Sequence, residues 1–386
     1  MNPSISLINA TGPRAMAYGA NELSFGYPEG VTVVDIVPDA IRHMIHDHWT
    51  SYPPVNPMWH YLLGVVFVFL FMFSCTGNGL VMYLVIKNKN LRTPANMLVF
   101  NLAFSDFCMQ VTQYPPYVYN CFNGGVWMFS PFLCELYACL GAIFGLCSLW
   151  TLAFVSFDRY NVIVKGVSAA PLTKGKALGF ILFCWAYSIG WSIPPFLGWG
   201  AYIPEGILDS CSFDYLSRDA NRRSYGLCIF AFDYAIPLLI IVLAYVFIVQ
   251  AICAHEKAMR EQAKKMNVTN LRSNADSNAQ SAEVRIAKVA MTNVALWLIS
   301  WTPYAAVTLQ GLAFNQSGIT PLVSMLPALL AKSAAVYNPM IYAINHPKFR
   351  LAIQKTLPWF CIHEPEAKSS DNQSNATKVE GKEETA

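Results

Sequence analysis

Residues 319–345 read ITPLVSMLPALLAKSAAVYNPMIYAIN, an apolar run whose single charged residue, Lys332, falls at its midpoint. A helix needs about 20 apolar residues to cross a hydrocarbon core, and this run supplies them. A lysine so far from either end cannot snorkel to an interface. An ionisable group at mid-depth costs roughly 2.5–3.5 kcal/mol on insertion scales, which makes it a functional candidate by default. A desolvated lysine held neutral is a nucleophile that condenses with an aldehyde. The alternative is an ion pair with another helix.

The rest of the chain repeats this pattern. Residues 61–86, 107–134, 136–157, 177–204, 234–254 and 289–331 lack Asp, Glu, Lys and Arg. The last of these runs is too long for one crossing and is broken at Asn315-Gln316-Ser317-Gly318, so it divides there. Across 386 residues, 55% are hydrophobic and only 13% charged, where a soluble domain has about a quarter charged. The sequence therefore predicts an all-α membrane protein, a seven-helix bundle over 59–345. The spans fall near 59–86, 95–121, 131–164, 176–199, 224–254, 284–313 and 319–344. The alternating segments of about ten residues that mark a membrane barrel are missing. Pro115, Pro194, Pro237, Pro303 and Pro339 mark kinks, which a bundle tolerates because neighbours satisfy the freed carbonyls. Nothing repeats internally as in a secondary transporter.

Charge sets the orientation. The loops at 87–92, 158–176 and 255–288 and the tail after 345 hold 20 of the 26 Lys and Arg, which places the tail in the cytoplasm and residues 1–58 outside. The net charge of +3 hides this asymmetry and suggests no nucleic-acid partner. Residues 1–58 have no basic start followed by an apolar core, so no cleavable signal peptide is expected. Asn9-Ala10-Thr11 is a glycosylation sequon on the outer side, so sugar is expected at Asn9. Asn267, Asn372 and Asn375 also stand in sequons but would face the cytoplasm, and Asn315 sits in a short outer loop. The stretch 263–282 reads as a mobile loop, and 361–386 as a disordered tail. Within 346–360, Phe349, Leu351, Ile353 and Leu357 alternate with basic residues, as in a short helix on the membrane surface. Cys361 follows, either palmitoylated or a free thiol.

Two further acids lie within spans. Asp106 shares its depth with Asn78 on the preceding helix, which suggests an interior polar network. Asp233, four residues before Pro237, either lines a ligand pocket or bonds a neighbouring helix, and the second reading is preferred. His43, His46 and His48 read as solvated residues of the outer segment. No hydrolytic or metal centre is indicated.

These residues resemble the rhodopsin-like G-protein-coupled receptors over about 55–361. Each span carries its expected mark in order. They are Asn78, Asp106, Asp158-Arg159-Tyr160, Trp185, Pro237 with Tyr245, Trp301-Thr302-Pro303-Tyr304, and Asn338-Pro339-Met340-Ile341-Tyr342. Within that family, Lys332 stands seven residues before Pro339, where opsins carry the lysine linked to retinal. Tyr337 through Tyr342 and His346-Pro347-Lys348 look like the invertebrate, arthropod visual branch.

The resemblance implies retinal, 11-cis in the dark, on Lys332 as a protonated Schiff base. It implies a disulfide between Cys134 and Cys211, with Cys121 a competitor on sequence alone. Vertebrate visual pigments place a Glu where this chain has Tyr137. Glu205 matches the alternative counterion of invertebrate opsins, acting through hydroxyls or water with Tyr137 as a candidate partner; otherwise it is a solvated loop acid. Gly141 and Gly145 make room for ligand or serve helix packing. Trp301 and Tyr304 would wall the pocket. Glu283 is placed to pair with Arg159 and hold the third and sixth helices together, or is a surface ion pair. Tyr245 and Tyr342 would stabilise Arg159 once released.

The implied partners are a heterotrimeric G protein of the q class, arrestin, a receptor kinase and the lipid membrane of a photoreceptor cell. The implied photoproduct is bistable. The chain is expected to be a receptor and not an enzyme. Two rival readings are a receptor for a diffusible ligand and a retinal photoisomerase; the intact Asp158-Arg159-Tyr160 argues against the second.

Overall fold

The computed structural model describes residues 27–265 and 275–363. Seven long helical segments run α1 (Pro57–Lys87), α2 (Pro94–Phe122), α3 (Pro131–Tyr160), α4 (Lys174–Ser192), α5, α6 (Ala275–Ala313) and α7. α5 is composite, with Ala220–Cys228, a π turn Ile229–Ala235, then Ile236–Lys265. α7 joins Pro321–Ser333, a tight turn Ala334–Val336, and Tyr337–Asn345. An eighth helix, α8, spans Pro347–Thr356.

The starts of four helices follow one local rule. Asn56, Thr93, Ser130 and Thr320 each cap a helix whose first residue is proline, their side chains accepting from the backbone N–H of Met58, Asn96, Leu133 and Val323. The cap satisfies an orphan donor, and proline sits where its missing N–H costs nothing. Among the described residues, four helices are long and apolar enough to cross a membrane: Pro57–Lys87, Pro131–Lys165, Lys174–Leu197 and Ala220–Ala254. The more polar α2 owes its composition to an inward stripe, since Asn101, Ser105, Asp106, Gln110 and Gln113 are all buried. Outward faces are apolar instead, with Phe73 62% and Ile299 65% exposed.

The α7 irregularity follows from Pro339. Proline removes the donor that the carbonyl four residues back requires. That carbonyl, on Ala335, accepts from Asn78 Nδ2 at 3.0 Å and Ser74 Oγ at 3.3 Å. α1 thus supplies what α7 lacks, and the helix narrows at Ala334–Val336 without leaving the group unpaired.

Between α4 and α5 lies an antiparallel hairpin, β1 (Tyr202–Glu205) with β2 (Ser210–Phe213), pairing Tyr202 with Phe213 and Glu205 with Ser210. A disulfide joins Cys211 to Cys134 at the start of α3, with Cα atoms 5.5 Å apart, and Cys121 is free. The hairpin turn packs on α7. At Gly206 (φ +65°) an added Cβ would lie 3.0 Å from Met325 Cβ and 3.2 Å from the Pro321 carbonyl. Above it, residues 27–56 form a lid that buries Val33, Val37, Ile41 and Trp49 in one cluster with Trp127, Leu208 and Ile319.

Three details depart from the sequence reading. His48 is half-buried, its ring bonded to the Ile319 carbonyl at 2.7 Å, because the lid folds back on the bundle. Helix also reaches further into the predicted 263–282 loop, through Lys265 on one side and from Ala275 on the other. Extending a formed helix is far easier than nucleating one, and Ala275, Ala279 and Ala282 favour it. In α8 the buried residues are Phe349, Ala352 and Ile353, at helical spacing, packed with Val81, Leu84 and Val85 of α1.

Candidate functional site

The helices enclose a cavity beneath the hairpin, walled by Gly141, Gly145, Trp301 and Tyr304, with Lys332 and Glu205 toward α7 and β1 and Asp233 on α5. The two glycines serve both roles considered for them. An added Cβ at Gly141 would meet Gln113 Oε1 at 3.0 Å, and one at Gly145 would meet Trp301 Cη2 at 3.3 Å. They line the cavity and let neighbouring side chains approach α3. Trp301 is stacked on Trp297 at 5.4 Å and edge-on to Tyr304 at 6.4 Å, a rigid aromatic wall.

Lys332 keeps some accessible surface, and it lines this cavity. Its Nζ donates to the Tyr137 hydroxyl at 3.1 Å and lies 4.8 Å from the centre of that ring. Backbone contacts fix both partners. The Lys332 carbonyl accepts from the Tyr114 hydroxyl at 3.1 Å, and the Tyr137 carbonyl from Gln113 Nε2 at 2.8 Å. Glu205 is 3% exposed, so it is a buried acid and not a solvated one. The Tyr304 hydroxyl donates to its Oε2 at 3.3 Å and sits 2.5 Å from Ser212 Oγ. Burial pushes the Glu205 carboxyl up to about 7, against the opposing pull of Lys332.

Toward the other end of the bundle, Asp106 accepts from Ser148 Oγ and Asn338 Nδ2, each at 2.7 Å, tying α2, α3 and α7. Asn78 joins through α7's backbone and not through Asp106 directly. Arg159 pairs with Asp158, and both are buried. Tyr160 packs on Phe247, and buried Tyr245 lies near Arg159 and Ser156. The side chains of Glu283 and Tyr342 lie outside the described residues, as do Asn9, Asn267, Asn372 and Asn375. Cys361 is exposed just after α8.

Comparison with known proteins agrees with this arrangement. The family described as "7 transmembrane receptor (rhodopsin family)" matches residues 77–342. Compound eye opsin BCRH1 of Hemigrapsus sanguineus is 60% identical, over 97% of this chain and all of that protein. The lateral eye opsin of Limulus polyphemus is 45% identical over 93% of this chain and 96% of its own length. The crystal structure of squid rhodopsin superposes with a TM-score of 0.78 at 39% identity, covering 89% of this chain and 98% of that one. The chain belongs to the opsins. As an opsin it is a multi-pass membrane receptor with the seven-helix fold, of the branch found in arthropod eyes.

Two features of this opsin escape a reading of the sequence. Asp209, in the hairpin turn, is fully buried, though an acid in an outer loop carries no sign of burial. Asn120 Nδ2 donates to its backbone carbonyl at 2.8 Å, which draws the turn onto the end of α2. Asp233 is 3% exposed and lines the cavity, and neither carboxyl oxygen has a hydrogen-bond partner among the described residues. Asp233 also faces the Tyr187 side chain of α4, so the two roles considered for it, cavity wall and contact with a neighbouring helix, are both met at the π turn Ile229–Ala235.

Proposed function

We propose that this opsin is a light-activated receptor that holds retinal on Lys332 through a protonated Schiff base, 11-cis in the dark. The observation that carries the reading is a lysine amine on the wall of an aromatic-lined cavity, oriented by Tyr137 and with buried Glu205 nearby. An elongated apolar aldehyde fits these walls, since polar groups are few and sit at the margins. Retinal, when bound, supplies absorption of visible light and a cis-to-trans change of shape.

The chain's own residues do the rest. Tyr137 orients the Lys332 nitrogen, and Glu205 supplies the anion that a buried cation requires. Trp301, wedged between Trp297 and Tyr304, meets the ligand and carries its change of shape into α6. Asp158 restrains Arg159 in the closed state, and Glu283 is assigned to the same restraint from α6. Ligand contacts that differ between two states shift their populations, and release of Arg159 toward Tyr245 and Tyr342 opens the inner end. The partner admitted there is a heterotrimeric G protein of the q class, followed by receptor kinase and arrestin acting on the tail, with a bistable photoproduct.

The bundle occupies 59–345 in the membrane of a photoreceptor cell, with 1–58 outside and glycosylated at Asn9. The surface helix covers 346–360, with palmitate on Cys361, and the tail covers 361–386. The buried Asp158–Arg159 pair favours a signalling receptor over a photoisomerase, which has no use for an inner-end restraint.

The test is to express the chain, add 11-cis retinal and record its spectrum. A visible band is expected, together with light-dependent nucleotide exchange on a q-class G protein. Lys332→Ala should remove the band; a band that persists overturns the reading.

A further inference from the structure

The lysine site holds one cation and two buried acids on a single hairpin. Glu205 ends β1 and Asp209 occupies the turn four residues later. Asp209 is entirely inaccessible, and its Oδ1 has no hydrogen-bond partner among the described residues. Its Oδ2 lies 4.0 Å from Cys121 Sγ, and Asn120 holds its backbone against α2. The groups facing it are Tyr117 and Cys121 from α2, Tyr137 from α3, Glu205 from its own hairpin and Lys332 from α7. The only cation in that set is Lys332, so among the described residues nothing else neutralises a second carboxylate.

Two ionised acids beside one cation would leave a net negative charge in a dry site, which is strongly unfavourable. Two neutral acids would leave the cation alone. One proton between the two carboxyls gives neutrality. We propose that Asp209 is a second anion of the lysine site, and that Asp209 and Glu205 share one proton and together carry the single negative charge opposite the Schiff base. The inference rests on the retinal reading above. Burial pushes both carboxyls up to about 7 while Lys332 pulls both down, and the charge of Glu205 adds to the rise at Asp209. Tyr137, bonded to Lys332, feels the charge of both acids.

A shared charge has a distinctive consequence. Removing either carboxyl leaves the other free to ionise, so each single variant keeps a neutral site. Removing both leaves the Schiff base without an internal anion.

The experiment titrates the visible band of retinal-loaded wild type, Glu205→Gln, Asp209→Asn and the double variant. Each single variant should keep the band at neutral pH but lose it at a lower pH than wild type. The double variant should absorb in the ultraviolet at neutral pH, its protonation constant at least about tenfold below either single variant, one pH unit or more. Acid should return the double variant to the visible, which shows that it is folded and loaded. Infrared difference spectra of the wild type supply an independent readout, with a protonated carboxyl signal that Asp209→Asn alters. An Asp209→Asn pigment with wild-type titration and infrared signal, or a double variant that matches Glu205→Gln, overturns the proposal. Failure of the wild type to form a visible band would instead overturn the retinal reading.

Discussion

The amine of Lys332 donates to the Tyr137 hydroxyl at 3.1 Å, while Glu205 is held by Tyr304, a residue of a different helix. Cation and acid are therefore positioned independently, and Tyr137 is the lysine's direct polar neighbour. Tyr137→Phe keeps the ring and deletes this one bond. Hydrogen bonds to charged groups are worth about 1.5–3 kcal/mol, so the loaded variant should lose its visible band at a pH about one to two units lower. The check is a spectral titration against wild type. An unchanged midpoint would mean that the hydroxyl has no part in holding the charge.

Without retinal, the buried acids should make stability depend on pH. Glu205 rises from 4.5 to about 7 and Asp209 from 3.8 to about 7. Between those limits the folded state binds more protons than the unfolded chain, so stability falls as pH rises through this window and levels off above it. One such group acting alone corresponds to roughly 3 kcal/mol; because the two titrate as a pair, their effects do not add. Thermal unfolding of the retinal-free chain in detergent should occur at higher temperature near pH 5 than near pH 8. Glu205→Gln with Asp209→Asn should flatten that dependence. A flat wild-type profile would show that neither acid is buried as described.

The colour of the pigment should depend on Asp233. This acid lines the cavity on α5, away from the α7 lysine, and an ionised carboxylate there has no cation among its described partners. A neutral carboxyl is the form such a site can hold. Excitation of a protonated imine polyene moves positive charge away from the nitrogen. An electron-rich oxygen at the far end therefore lowers the excited state more than the ground state. Asp233→Leu should absorb at shorter wavelength than wild type, with Asp233→Asn between them. An Asp233→Leu spectrum that coincides with wild type would refute this placement of the acid.

The bundle was legible in the sequence because membrane solvent imposes a long, one-dimensional signal. Uncharged runs of helical length gave the spans, and Pro339 marked a kink whose freed carbonyl a neighbour satisfies. Lys332 stood out for the same reason, as a charge where the solvent forbids one. Asp209 did not, because burial of an outer-loop acid depends on the hairpin folding inward, a tertiary event that leaves no local pattern. His48 was missed likewise, since only the lid's return brings it to Ile319. For Asp233 the sequence suggested a cavity wall or a contact with a neighbouring helix, and the side chain meets both the cavity and Tyr187 of α4. A π turn shifts side-chain direction along a helix, and regular periodicity does not anticipate that shift.

The Cys134–Cys211 bond is what keeps the hairpin against α3, closing a sequence separation of 77 residues. Removing a native disulfide typically costs about 2–5 kcal/mol. Here the cost should also appear at the ligand site, because the hairpin carries Glu205, Asp209 and Ser212 toward the bundle. Cys211→Ser should lower the thermal stability of the retinal-free chain and reduce the yield of visible pigment. Pigment yield and stability equal to wild type would mean that packing of the lid alone positions the hairpin.

At the inner end, Arg159 and Asp158 are both about nine-tenths buried and paired with each other. Removing one member of a buried pair is costly, on the order of 3–5 kcal/mol, because a buried charge loses a compensating partner. Asp158→Asn places that cost on the closed state, while any state that gives Arg159 water or another partner avoids it. The equilibrium should therefore move toward the open state without light. Nucleotide exchange on the G protein in darkness should rise several-fold, and thermal stability should fall. Arg159→Ala, which removes the charge itself, should not raise dark exchange. If Asp158→Asn is as silent in darkness as wild type, the pair is a packing feature and the restraint lies elsewhere.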